Sequence, residues 1–527
     1  MMQGRKQHTE KLFLSFQLSE RVPEDNFYRK LKNLLDLRWL YKQTAKYYGT
    51  EGQQSIDPVV FFKLILIGYL ENLGSDRRII NTVSMRMDML YFVGFDIDEP
   101  LPWHSTLSRT RQLYGDDLFK QLFKQVLKQC IGKGMVAGKR QAIDSVFVKA
   151  NASMNSLSEK DILNDADEYA SALSEDEPVV ATAGQTPTVS AAKNKRVQQH
   201  HEWKKKAYKG MPGARVNTKE ADKDDEKYER RYLSNHTHFS TTDADARVSV
   251  KPGKPRQLNY LGQVSVDTAH HVITNIEAHL ADKKDSQCLP EVLTNSIDNL
   301  YEEGLVVEEI LADTGYSSGQ ALKALDEKNI VGYIPNFGQY KPTREGFSYD
   351  KEHDRYTCTE GKHLIFKNIK TTPLGYVMRH YRSSAKDCKN CPLKTTCIGK
   401  SNEKKIDETI DKSLYDKMHQ RLQTAKARQL KKLRSSTVEP VIGTLINYLA
   451  MKRVNTRGLQ QANKCMIMAA VAYNLKKLLK FKYSKVLTLA KSMKIKAEKG
   501  LLKLVLDLYC PLATITNRAA ILMYKLL

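Results

Sequence analysis

Glu439 is the only acidic residue between Asp416 and Glu498, a stretch that carries 19 Lys and Arg. Such surroundings suit a polyanion, which a lone carboxylate would repel. A divalent metal held against a phosphate gives the carboxylate a purpose, because such ions take oxygen ligands and bind readily beside phosphate. Two further contexts supply partners: "QAIDSVFVKANAS" around Asp144 and "EEILADTGYSSGQAL" around Asp313. Asp144 falls in an alternating apolar run, where a charge is costly unless paired or bound to metal. Asp313 falls at the C-terminal end of a predicted strand, the edge at which open α/β sheets bind ligands. An Asp at a strand end is also an ordinary turn residue, so the three carboxylates count together rather than singly. On two strands and a helix they can hold two Mg²⁺ (or Mn²⁺) ions. A two-metal site activates a water or a 3′-hydroxyl and stabilises the leaving oxygen of an in-line phosphoryl transfer.

A second constellation is Cys358, Cys388, Cys391 and Cys397, spaced C-x29-C-x2-C-x5-C. A C-x2-C knuckle with two outlying Cys can form a Cys₄ zinc site. The alternatives are four reduced structural thiols in a small β subdomain, or an iron–sulfur cluster. Cys130, Cys288, Cys465 and Cys510 lie in apolar helical contexts and read as packing residues. His270 and His271, beside Asp267, read as strand ends rather than ligands. His200 and His201 read as solvated members of a charged run.

The elements that must position these groups follow from periodicity. Residues 25–135 read as helical: "DPVVFFKLILIGYLENLG" opens with Asp57 as cap and Pro58 in the first turn. "SDRRIINTVSMRMDMLYFVG" reads as a second helix. "HSTLSRTRQLYGDDLFKQLFKQVLKQCIGKG" gives a third and fourth, with Ser105 or Thr106 as a cap and Arg109 and Arg111 inside the third. Exposed Arg on a small helical domain fits a helix-turn-helix DNA reader; a dimerisation or packing domain is the plainer alternative. The period then changes to two over "QAIDSVFVKA", which puts Val146 and Val148 on the face of Asp144. Two strands, "QLNYLGQVSVD" and "HHVITNIEAHL", precede an α/β alternation: helix "CLPEVLTNSIDNLYEEG", strand "VVEEILAD", helix "SGQALKALDEKN" and strand "IVGYIPN". The pattern predicts a mixed sheet with flanking helices. Glu439 is expected to open a helix, with Thr437 as cap, Pro440 in the first turn and Val438, Ile442, Leu445 and Leu449 as the buried stripe. Gly443, one turn on, would let a phosphate backbone come close.

This divides the chain into a helical N-terminal domain over 1–135, an α/β domain over 136–480 and a basic helical tail over 481–527. The α/β domain carries two insertions. Residues 152–235 are charged and their composition predicts partial mobility; residues 337–415 hold the Cys cluster.

The net charge of +24 is concentrated near the end of the chain. Residues 401–527 hold 26 Lys and Arg against 8 Asp and Glu, an imbalance that favours nucleic-acid backbones. An anionic membrane is the competing target, but no lipidation signal accompanies the charge. No apolar run reaches a membrane-spanning length, and the start, "MMQGRKQHTEKLFLSFQLSE", is too polar for a signal peptide. A cytoplasmic protein with reduced thiols is expected.

The blocks "DSVFVKANAS", "LADTGYSSGQAL" and "RSSTVEPVIGTL…RVNTRG…AVAYNLKKL" resemble the three catalytic blocks of bacterial insertion-sequence DDE transposases with an RNase H-like core. "DPVVFFKLILIGYLENLGSDRRI…HSTLSRTRQ" resembles the helical N-terminal domain of one group of them. The four blocks occur in the family's order and span most of 25–480. The resemblance implies the triad Asp144, Asp313 and Glu439, cleavage at the element's ends, strand transfer into target DNA, and pairing as a homodimer or larger multimer on DNA. Related families place an Arg shortly before the Glu, a role Arg434 fits, and a Lys two turns after it. That second position holds Ile446, so the Lys contact is absent or supplied by Lys452 or Arg453. With Lys431 and Lys432 of the basic run before Glu439, and Arg457, these are the candidate DNA contacts. An RNase H-like nuclease that cuts without joining, or a domesticated DNA-binding protein that keeps the fold, are the other readings.

Overall fold

The computed structural model describes residues 16–49, 51, 55–159, 234–235, 238–250, 255–336, 340–372 and 376–481. Most of the charged insertion expected over 152–235 and nearly all of the basic tail over 481–527 lie outside these residues, as do His200, His201 and Cys510. Residues 1–476 form one compact unit; of the second, 477–527, only the end of one helix is described.

The N-terminal helices are organised around α1 (Pro58–Leu70). Asp57 accepts from the Val59 and Val60 amides, and Pro58 fills the first turn, where a missing N–H costs nothing. This helix is apolar almost all round, so it must be enclosed. It is enclosed by α2 (Asp76–Ser84), α3 (Met87–Val93) and α4 (His104–Leu113). The single helix expected over "SDRRIINTVSMRMDMLYFVG" is therefore two. The break comes at Arg86, which turns extended and pairs with Glu71 and Asp88 at 3.2 and 2.7 Å. The caps expected at Ser105 or Thr106 are also corrected: α4 begins at His104 behind an extended Trp103, with no side-chain cap.

Arg109 is exposed, but Arg111 is not a free DNA-reading residue. Its side chain is buried and grips Asp76 through two hydrogen bonds of 2.6 and 3.0 Å. Removing one member of a buried pair leaves the other charge uncompensated. Asp76→Ala is expected to lower stability by about 3–5 kcal/mol, measured by urea unfolding; a loss below about 1 kcal/mol would mean that solvent already satisfies Arg111.

After α5 (Asp116–Gly132) comes the sheet. It contains β1 (Arg140–Lys149), β2 (Gln257–Asp267), β3 (Ile273–Leu280), β4 (Glu309–Leu311) and β5 (Val331–Tyr333), with α6 (Asp285–Tyr301) and α7 (Gly319–Glu327) as crossovers. The order is β3-β2-β1-β4-β5. β1, β2 and β3 pair antiparallel, whereas β4 runs parallel to β1 and β5 parallel to β4. A short strand, Arg247–Ser249, extends the far side of β2. β2 and β3 form a hairpin and the later strands are helix-linked and parallel, in keeping with the change in sequence periodicity, and the order is that of an RNase H-like sheet.

The Cys-containing insertion is a five-stranded antiparallel meander of β6 (Phe347–Asp350), β7 (Arg355–Cys358), β8 (His363–Thr371), β9 (Val377–Ser383) and β10 (Lys405–Thr409). It has its own small core of Tyr356, Leu364, Tyr381 and Ile406. The chain then returns through α8 (Lys412–Leu422), α9 (Ala425–Tyr448) and α10 (Leu459–Lys480).

The expected setting of Glu439 is also corrected. Glu439 does not open a helix; it lies well inside α9, whose cap is Thr424, accepting from the Ala427 amide. Pro440 stands within the helix, and the carbonyl that loses its partner belongs to exposed Ser436, where water can replace the bond. Thr437 is buried within the helix rather than capping it, and the buried stripe is Val438, Val441 and Leu445 rather than one through Ile442.

α10 closes the free edge of β3. Asn463 accepts from the Ala278 amide at 3.0 Å, and Asn474 both accepts from and donates to the Ile273 backbone. An edge strand covered in this way cannot recruit another chain. Lys464 is buried and donates to the Arg111 and Tyr114 carbonyls at 3.1 and 2.6 Å, tying the end of α4 to the sheet layer.

Candidate active site

The strand register places the first two carboxylates. Ala142 on β1 pairs with Leu311 on β4. Two residues further along lie Asp144, still on β1, and Asp313, just past the end of β4. Equal offsets from a paired position put both side chains on one face of the sheet, on neighbours about 4.8 Å apart. Both line a cavity of about 1130 Å³ between the sheet edge and the insertion meander. The rest of its wall mixes cations, Lys283, Lys284 and Lys323, with apolar and aromatic side chains such as Phe147, Leu261 and Tyr376.

Asp144 accepts from its neighbour's amide, Ser145 N–H, at 2.8 Å and from Arg434 Nη1 at 3.0 Å. Burial raises its pKa above the ordinary carboxylate range and the charge of Asp313 adds to the rise, while the Ser145 amide and the Arg434 guanidinium pull it back. A carboxyl whose folded pKa is raised favours the fold while protonated, and that contribution is lost as pH rises through the folded pKa. Asp144→Asn should therefore melt above the wild type at pH 8, with the difference closing as pH falls toward about 4. Thermal melts at the two values check this; an Asn variant that melts lower at pH 8 would show that the Arg434 pair outweighs burial.

Asp313 follows β4 and caps a single 3₁₀ turn, accepting from Gly315 N–H at 2.9 Å. α9 crosses β1, β2, β4 and β5 and so brings Arg434 and Glu439 over the same strands. Arg434 Nη2 lies 3.7 Å from Glu439 Oε1, and the Glu439 side chain is 60% exposed. The arginine thus stands between the carboxylates of β1 and α9. Among the described residues, no group of three or more His, Cys, Asp or Glu is drawn together closely enough to hold a metal ion. The donor set nevertheless suits a hard divalent ion: carboxylate oxygens from adjacent strands, one of them raised in pKa partly by the other's charge.

Two residues that sequence reasoning passed over belong to this site. Asp285, in the first turn of α6, lines the same cavity. A Cβ added at Gly315 would come 3.1 Å from both Asp285 Oδ2 and Asp313 Oδ1, so this glycine lets the two carboxylates approach. Tyr316 is fully buried, and burial together with the charges of Asp285, Asp144 and Asp313 holds its hydroxyl well above its ordinary pKa. It donates to Gln263, whose amide donates to Asp285 at 2.9 Å. Tyr316 lies in the "DTGYS" turn, but the turn does not reveal that Asp285 packs on it.

The candidate DNA contacts surround the carboxylates. Lys431 and Lys432 are exposed on α9 two turns before Glu439. Residues 452–454 run beside the end of β1, with the Val454 amide donating to the Lys149 carbonyl at 2.9 Å. That contact leaves Lys452 and Arg453 exposed near the strand that carries Asp144, and Arg453 donates to Asn151 at 2.7 Å. Arg457 is exposed just beyond, and nothing lies within 4 Å of a Cβ built on Gly443.

The four insertion cysteines are not drawn together. Cys358 ends β7 and packs against the meander's apolar core, while Cys388 contacts Ser383 Oγ at 3.1 Å. All four are partly exposed and free of disulfides. Cys130, Cys288 and Cys465 are buried, as packing residues should be. Among the described residues no helix is long and apolar enough to cross a membrane.

Residues 16–113 match the family described as Transposase domain (DUF772), and residues 357–479 match the family described as Transposase DDE domain. The second match contains Arg434 and Glu439; Asp144 and Asp313 lie between the two. No curated protein matches the chain. Among solved structures, the Mos1 transposase paired-end complex with left transposon end matches at 11% identity, over 58% of this chain and 67% of that one. Its TM-score of 0.15 is too low to carry an argument.

Proposed function

We propose, taking this chain as the DDE transposase that its two matched domains make it, that Asp144, Asp313 and Glu439 form the centre at which element ends are cut and joined to target DNA. The observation that supports this most is the side-by-side placement of Asp144 and Asp313 at one open cavity, with Arg434 linking Asp144 to Glu439. Enzymes of this class use divalent metal ions. Mg²⁺ or Mn²⁺ is the fitting choice here, held by the three carboxylates. When bound, such ions activate a water or 3′-hydroxyl and stabilise the leaving oxygen.

The chain's own residues do the rest. Exposed Lys431, Lys432, Lys452, Arg453 and Arg457 bind the DNA backbone and hold the scissile phosphate over the β1–β4 edge. Gly443 leaves that approach open on α9. The buried Tyr316–Gln263–Asp285 chain fixes the turn that carries Asp313. Arg109 and neighbouring exposed side chains of the helical domain, 1–135, are suited to reading the element ends. The protein would act as a homodimer or larger multimer on DNA. A zinc ion on Cys358, Cys388, Cys391 and Cys397 rests on sequence spacing alone.

The test is a strand-transfer assay with the element's terminal inverted repeats, a target plasmid and Mg²⁺. Joined products are expected. Cleavage without joining would make the protein an RNase H-like nuclease instead.

A further inference from the structure

Arg434 is placed where a cation would be expected. Its guanidinium donates to Asp144 at 3.0 Å and lies 3.7 Å from Glu439. It also shares a second cavity, of about 220 Å³, with Asp313 and Lys431. One fork of donors therefore faces the carboxylates of β1 and α9, with Asp313 across a shared cavity. Arg434 and Asp144 are both well shielded, with side chains 15% and 16% exposed. Asp144 and Glu439 repel one another unless a positive charge intervenes, and Arg434 stands between them.

We infer that Arg434 is a positioning residue that serves as the site's built-in counter-ion, holding Asp144 and Glu439 in the DNA-free protein and releasing them when a DNA phosphate draws the guanidinium away. This role rests on Asp144, Asp313 and Glu439 being the catalytic carboxylates proposed above. An N–H that donates to a carboxylate is not available to a phosphate in the same direction, so the two partners compete for one planar fork. Competition for one group links the two binding events. If DNA weakens the hold of Arg434 on the carboxylates, DNA must raise their affinity for a divalent ion, and the ion must raise affinity for DNA by the same factor. The device would keep the free protein from charging its cutting centre before a DNA end is seated.

The test is Mn²⁺ binding to the full chain, measured by calorimetry with and without a duplex that carries one element end. Wild type, Arg434→Gln, Arg434→Lys and Asp144→Asn are compared, each checked for folding by circular dichroism. In the wild type, DNA is expected to tighten Mn²⁺ binding by about tenfold, within the usual range of coupling between sites. Arg434→Gln should bind Mn²⁺ about tenfold more tightly than wild type without DNA and lose most of the gain that DNA confers. Arg434→Lys, with the charge but without the fork, should fall between. DNA-free Mn²⁺ binding that needs Asp144 but is no tighter in Arg434→Gln would overturn the counter-ion role and leave the site intact. Mn²⁺ binding that Asp144→Asn does not alter would overturn the site assignment itself, and the counter-ion role with it.

Discussion

Replacing Asp144 by Asn, Asp313 by Asn or Glu439 by Gln should each lower the rate of DNA-end cleavage by at least about 10³-fold, while the fold persists. A thousandfold is about 4 kcal/mol of transition-state stabilisation, the scale expected when an oxygen ligand of a two-metal site is lost. The three changes should not multiply: residues that act as one unit lose nearly everything on the first substitution, so the double variant Asp144→Asn/Glu439→Gln should be little worse than either alone. Cleavage rates on a labelled end substrate measure this. Glu439 gives the sharpest contrast. It is largely exposed and, among the described residues, Arg434 is its charged partner. Glu439→Gln should therefore leave the melting temperature nearly unchanged. An active Glu439→Gln enzyme would remove α9 from the catalytic centre.

The second large effect concerns the basic surface. Lys431, Lys432, Lys452, Arg453 and Arg457 are all exposed, so changing them to Gln together should have little effect on folding. Each phosphate contact contributes about 0.9 to the slope of log affinity against log salt. If all five touch phosphate, the slope should flatten by about 4.5, and affinity in low salt should fall by orders of magnitude. The loss should be uniform across DNA sequences, because phosphate contacts carry no base information. Fluorescence anisotropy across a salt series measures it. An unchanged slope would place the DNA elsewhere, on the helical N-terminal domain alone.

How far the sequence discloses this site varies with the range of the interactions involved. Asp144 was legible because the alternation of β1 is local, and Val146 and Val148, which share its face, are buried as expected. Asp313 was legible because a strand end followed by Thr-Gly is a local turn signal. The mixed sheet was legible from the same local cues, whereas its RNase H-like order was implied only by the family resemblance. Glu439 was legible as a residue but not in its setting. Pro440 looked like a first-turn proline, yet α9 starts at Ala425 and carries the proline inside. Only the exposure of Ser436 makes that tolerable, and exposure is a tertiary property. Arg111 failed for a related reason: its partner, Asp76, comes from another helix. Asp285 and Tyr316 were out of reach altogether. Their role depends on the start of α6 meeting the Gly315 turn, a contact between segments about 30 residues apart that no periodicity records. The C-x2-C spacing could not disclose that Cys358 packs against the apolar core of the meander.

The measurement that bears most directly on the catalytic centre is the location of Mn²⁺ by anomalous scattering in crystals of the protein bound to an element end. The account predicts density between the Asp144 and Asp313 carboxylates, with Glu439 in reach and Arg434 turned to the DNA phosphate. Mn²⁺ bound elsewhere on the protein, with Arg434 still paired to Asp144 in the DNA complex, would contradict it.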